Sequence, residues 1–278
     1  MERNSMLCPY CRKLISRDEK QCPYCNMPIL AARWLEARSV MNISNKIDPL
    51  KAVIGVTLFY FLASLFFSAL ENGGSLGFML MPSQNSLWHL GASGSAPINL
   101  HRYWTLINAS FLHGGALHIA FNMLALWQIG GFILNCYGIS RFLLIYILSG
   151  VLGFYVSHLV NIPFTIGASA SVCGLIGAII YYGKTRGGFY GGMIYKQALG
   201  WVIGIAIFGF IVPGINNWAH GGGLFAGIIL GKLLGYNETS SESWWHRYTA
   251  ISLVLLTLMA LCWGLIEAFL YLVLKSHF

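Results

Sequence analysis

The chain has 278 residues, of which 56% are hydrophobic and 9% charged, with a mean hydropathy of +0.65. An ordinary soluble domain carries about 25% charged residues, so this composition excludes a soluble globular protein and points to a polytopic, all-α membrane protein. The net charge of +8 is accounted for by membrane topology, and no nucleic-acid partner is expected.

The first 50 residues are polar and contain no short apolar core behind a basic start, so no cleavable signal peptide is expected. They repeat one CPYC unit, Cys8-Pro9-Tyr10-Cys11 and Cys22-Pro23-Tyr24-Cys25, with ten residues between. Four thiolates from two such knuckles make the tetrahedral sulfur set of a structural zinc ribbon, and a site closed by four protein ligands leaves no open position for catalysis. Two disulfides are the alternative, disfavoured in a reducing cytosol. Residues 1–30 are therefore read as a cytosolic zinc ribbon with an unidentified cytosolic partner. Residues 31–50 form a linker in which AARWLEARSV is expected to be a short amphipathic helix at the membrane surface.

Seven apolar stretches follow, near 51–70, 116–135, 141–160, 166–183, 197–212, 217–235 and 250–273, each close to the ~20 residues that cross the hydrocarbon layer as a helix. The first six make a core over 51–235, and the last adds a helix at 250–274. The loop at 71–115 holds apolar pieces, LGFMLM and SLWHL, expected to form short interfacial helices. Cys136, Cys173 and Cys262 lie in or beside spans as packing residues. With the amino terminus inside, every lysine and arginine except Arg102 and Lys275 falls on the cytoplasmic side, the side that basic loops favour. This predicts a cytoplasmic amino terminus and an extracytoplasmic carboxyl terminus, in contact with the lipid bilayer.

In that orientation the second, fourth and sixth spans all descend from the outer face, and all carry polar residues near their starts: His113, His118 and Asn122; Ser169; His220. At 1.5 Å per residue, Ser169 and His220 sit roughly 5–10 Å below that face. Polar side chains inside a membrane are costly and read by default as functional. A lone serine in a span usually serves packing, a lone histidine at its mouth usually anchors the interface, and Ser171 competes with Ser169. The shared depth outweighs these readings. Small residues at Ser169, Cys173 and Gly177, and at Gly223, Gly227 and Gly231 after His220, let two helices approach closely. A serine beside an imidazole is activated as a nucleophile, and because spans two to six contain no Asp or Glu, the expected arrangement is a dyad. His118 and Asn122, four apart on one helix face, are candidate donors to an oxyanion. His113 is expected to be a structural hydrogen-bond partner, and Glu267 to meet lipid headgroups. A channel or transporter is disfavoured because spans two to six hold almost no paired charges.

The segments HGGALHIAFN, GASASVCGLIGA and WAHGGGLFAG, in this order, resemble the three signature segments of the rhomboid family of intramembrane serine proteases, over roughly residues 100–235. The resemblance implies a six-helix rhomboid-like core, with the seventh span similar to the subgroup that adds one helix. It also implies Ser169 as nucleophile, His220 as general base, and His118 with Asn122 as oxyanion stabilisers. The implied activity is cofactor-free cleavage of transmembrane or membrane-proximal segments of single-span proteins. Independently of the resemblance, the absence of eukaryotic sorting signals and the zinc head point to a bacterial plasma (inner) membrane. Three positions depart from the family pattern. Ala170 stands where GxSG has glycine, Thr105 follows Trp104 where the family has arginine, and Cys173 replaces an aromatic that would stack on the histidine. These departures motivate the alternative of an inactive rhomboid pseudoprotease that binds and sorts transmembrane helices.

Overall fold

A computed structural model of the chain describes residues 5–8, 13–16, 19, 21–25, 48–71 and 80–275. They fall into two units, 1–48 and 49–278.

In the first unit, strands β1 (Ser5–Leu7) and β2 (Leu14–Ser16) pair antiparallel with Met6 opposite Ile15. The Cys8 N–H donates to the Lys13 carbonyl at 2.9 Å and closes the hairpin. The buried core described here is Cys8, Ile15 and Cys22, with Cys25 against it. A unit of fewer than about 50 residues ordinarily needs a staple such as a metal or a disulfide to hold its fold. The expected surface helix AARWLEARSV, residues 31–40, lies outside the described residues.

The second unit is helical. Its long helices are α1 (Pro49–Glu71), α5 (Ala116–Tyr137), α6 (Ile139–Leu159), α7 (Ser169–Arg186), α8 (Gly188–Ile211), α9 (Asn217–Leu234) and α10 (Trp244–Lys275). Three short ones, α2 (Gln84–Leu90), α3 (Ser95–Asn99) and α4 (Thr105–Asn108), lie between α1 and α5. Of the long helices, α1, α5, α6, α8 and α10 are long and apolar enough to cross a membrane. Helices α7 and α9, 18 residues each, fall short because polar residues share their length with small ones: Lys184 and Arg186 in α7, Asn217, His220 and Lys232 in α9. Helix α7 packs on α5, α6, α8 and α9, so most of its surface meets protein and needs no lipid-facing side chains.

Helix α8 begins at Gly188, earlier than the apolar run alone suggests. Two of its glycines serve contact: a Cβ on Gly191 would meet the Gly183 carbonyl at 2.7 Å, and one on Gly209 would run into the Asn217 side chain, whereas Gly192, Gly200 and Gly204 face open space. Helix α10 starts at Trp244, where exposed Trp244, Trp245 and Tyr248 form the aromatic end typical of a membrane interface. The SLWHL piece does form α2, but the helix is not free at an interface. Leu87 and Leu90 are buried, and α2 packs on α1 and α10. Of LGFMLM only Leu80 and Met81 are among the described residues, and both are exposed and outside any helix.

Helices α7 and α9 touch backbone to backbone. A Cβ on Gly223 would run into the Ala170 carbonyl, one on Gly227 into the Gly174 carbonyl, and one on Gly177 into the Leu224 carbonyl. The contact stripe on α7 is therefore Ala170, Gly174, Gly177 and Ala178, one position round from Ser169 and Cys173, so Ser169 stands beside the seam. Gly227→Ala forces two backbones apart, and overpacking of this kind costs about 1–3 kcal/mol. An unfolding titration in detergent is expected to show that loss, while Gly131→Ala, where a methyl meets open space, is expected to leave stability unchanged.

Arg141, read from sequence as an inner-loop charge, is fully buried at the start of α6. Its guanidinium donates to the Ser240 carbonyl (3.0 Å), the Ser240 hydroxyl (3.1 Å), the Ser241 carbonyl (3.1 Å) and Asn237 Oδ1 (3.3 Å). Glu242 Oε1 accepts from the Ser140 and Arg141 N–H groups at 2.7 and 3.1 Å, a carboxylate placed against the positive end of a helix. The segment joining α9 to α10 is thereby stitched to α6.

Candidate active site

Three helix starts converge. Ser169 is the first residue of α7, while His118 and His220 lie in the first turns of α5 and α9. His220 Nε2 is 2.8 Å from Ser169 Oγ. Both residues are half-buried. His220 Nδ1 is buried and has no hydrogen-bond partner among the described residues, so the pair is a dyad with no carboxylate behind the imidazole.

His118 Nδ1 accepts a hydrogen bond from the Gly114 N–H at 3.3 Å. That leaves the ring proton on Nε2, which faces Gly167. A Cβ added to Gly167 would meet His118 Nε2 at 2.7 Å and Ser169 Oγ at 3.8 Å. Gly167 also has φ +121°, a conformation that side chains disfavour, so glycine is required here on both counts. Asn122, buried one turn further along α5, donates to the His118 carbonyl at 2.9 Å. That bond belongs to its own helix, and no hydrogen bond joins Asn122 to Ser169 or His220 among the described contacts. His113 is fully buried, its Nε2 accepts from the Ala168 N–H at 3.4 Å, and its ring centroid lies 5.0 Å from that of His118.

Ser171 is fully buried, 3.4 Å from Ser110 Oγ. The Ala170 methyl packs with Ala109, Phe154 and Ala219 in the α6–α9 seam. Cys173 is buried, and no ring stacks on His220 among the described residues. Thr105 brings no guanidinium to this loop, but Arg102, three residues before it, does. Its guanidinium lies 5.0 Å from each of the Trp88 and Trp104 ring centroids, donates to the Trp88 carbonyl at 3.1 Å and pairs with Glu267 of α10. Glu267 also meets His89 at 3.3 Å, so it faces protein partners as well as the surface. Sequence reading missed this pair because its members are 165 positions apart.

In the first unit, the Sγ atoms of Cys8, Cys22 and Cys25 lie within 4.8 Å of one another, with Cys8 and Cys25 at 3.7 Å. A tetrahedral ion with Zn–S bonds of about 2.3 Å separates its sulfurs by roughly 3.8 Å, so the three thiols fit such an ion. Cys11 lies outside the described residues.

The fold and this site define a multi-pass α-helical membrane protein with a serine–histidine pair at the mouths of two closely packed helices. The Rhomboid domain family matches residues 100–237, and this stretch of the chain is a rhomboid domain. It is 32% identical over 209 residues to "Rhomboid protease GluP" of Bacillus subtilis (strain 168), covering 75% of this chain and 40% of that protein. It is 32% identical over 174 residues to "RHOMBOID-like protein 1" of Arabidopsis thaliana, covering 62% and 44%. Over 153 residues it is 34% identical to "Inactive RHOMBOID-like protein 8" of the same plant, covering 53% and 43%. The chain thus spans less than two thirds of the length of each of these relatives.

Proposed function

We propose that the protein is an intramembrane serine endopeptidase that cleaves transmembrane or membrane-proximal segments of single-span membrane proteins. The observation that carries this reading is the 2.8 Å approach of His220 Nε2 to Ser169 Oγ. In the mechanism, His220 takes the Ser169 proton as Oγ attacks the scissile carbonyl carbon. The oxyanion is met by His118 Nε2–H and by the Ser169 N–H, one of the unpaired donors of a helix's first turn, with the Asn122 amide, one turn further along the same helix, as a further donor once substrate is bound. Collapse of the intermediate breaks the C–N bond, and His220 returns the proton to the leaving amine. Water then hydrolyses the acyl-Ser169 ester by the same steps.

The chain sits in a plasma (inner) membrane with its first unit cytosolic, which places the dyad toward the outer face. Domain limits are 1–30, 31–50, 51–235 and 250–274 as read from sequence. Cys8, Cys11, Cys22 and Cys25 hold a structural zinc that supplies no chemistry to cleavage, and the ribbon offers a docking face to a cytosolic partner.

A second reading, a non-catalytic binder of transmembrane helices, draws support from Ala170 and from the Arabidopsis relative whose name calls it inactive. Labelling with a fluorophosphonate probe in native membranes separates the two. The protease reading expects covalent modification at Ser169, lost in Ser169→Ala, and absence of labelling in the wild type supports the binder.

A further inference from the structure

We infer that Asn216 is a positioning residue for the dyad, an inference that rests on the protease reading above. It stands one turn before His220 and caps α9: its Oδ1 accepts from the Ala219 N–H at 3.1 Å, and its own carbonyl accepts from the His220 N–H at 3.2 Å. With Oδ1 engaged as an acceptor, the amide can be oriented only one way. Both Nδ2 hydrogens then point at hydroxyls on other elements, Ser157 Oγ at 2.8 Å and Thr165 Oγ1 at 3.0 Å.

Each hydroxyl belongs to a segment that sets one side of the site. Ser157, fully buried near the end of α6, donates onward to the Gly153 carbonyl at 3.1 Å, so its proton is used and it meets Asn216 as an acceptor. Gly153 is also where α6 touches α9, since a Cβ there would meet the Ala219 carbonyl at 2.6 Å. Thr165, also buried, lies four residues before Ser169. It pairs with Ser93 through two backbone hydrogen bonds of 3.1 and 2.8 Å, and two residues on the Gly167 N–H reaches the Ala109 carbonyl at 2.8 Å.

A single neutral amide therefore ties the helix carrying His220 to the strand-like segment leading into Ser169, with all three of its side-chain partners satisfied. The α7–α9 seam is built largely on glycine and alanine against backbone, contacts that fix how closely the helices approach but carry few directional bonds between their side chains. Directional bonds at the helix mouth set the register that the 2.8 Å Ser169–His220 contact requires. A displacement of about 1 Å at a reacting centre costs on the order of a hundredfold in rate.

The test compares Asn216→Ser, Thr165→Val and the two combined in the whole 278-residue chain. Serine keeps an N-cap oxygen but is too short to reach Ser157 and Thr165. Asn216→Ser is expected to lower kcat and the fluorophosphonate labelling rate by about tenfold to a hundredfold, with KM within about twofold and the unfolding midpoint close to that of the wild type. Thr165→Val, which removes one acceptor and leaves the cap intact, is expected to lose rate in the same way. The double variant is expected to lose less than the product of the two, as coupled partners do. If Asn216→Ser labels as fast as the wild type, or loses rate only in proportion to the folded fraction, the inference fails while the protease reading stands. A wild-type protein that neither labels nor cleaves removes both.

Discussion

Ser169→Ala and His220→Ala are each expected to abolish cleavage of a single-span substrate in proteoliposomes, with losses of at least about 10³-fold, because the two groups act as one unit and removing either removes the step. Combining the two substitutions is expected to cost no more than either alone, for the same reason. Ser171→Ala is expected to retain most activity: Ser171 is enclosed beside Ser110, on the far side of the helix from the imidazole. His118→Ala is expected to cost about 10²–10³-fold, mainly in kcat, the usual effect of deleting one donor to an oxyanion. Full activity in Ser169→Ala would sink the assignment, and an active Ser169→Ala with an inactive Ser171→Ala would transfer it to the second serine.

Zinc is the second large effect. Purified full-length protein is expected to carry about one zinc per chain by elemental analysis, and Cys22→Ser to carry almost none. Among the described residues the buried core of the first unit is Cys8, Ile15 and Cys22, two of them ligands of the proposed ion, so on the zinc reading metal binding is expected to supply its folding energy, about 10–16 kcal/mol in comparable zinc peptides. Loss of metal is then expected to expose residues 1–48 to limited proteolysis while the helical unit stays resistant. A wild-type protein that is zinc-free and resists reduction would indicate disulfides in place of a metal.

Much of the site was legible because its chemistry is expensive. Ser169, His118 and His220 stand out against apolar surroundings, and the glycine spacing marks the helices that approach closely. Asn216 had a readable signal as well, since an asparagine just before an apolar helix marks its cap. Its links to Ser157 and Thr165 had none, because hydrogen bonds across 59 and 51 positions leave no local pattern. The same holds for Arg102 with Glu267, and for Arg141, whose burial depends on carbonyls about 100 residues away.

The sequence by itself determined that this is an all-α multi-pass membrane protein and which polar residues its helix mouths carry, because helix length, hydropathy and the cost of burying polar groups all act locally along the chain. Only the tertiary structure decided which of those residues meet. A helix face turns about 100° per residue, so a shift of one position separates Ala170 in the seam from Ser169 in the site, and backbone contacts between distant glycines set that rotation.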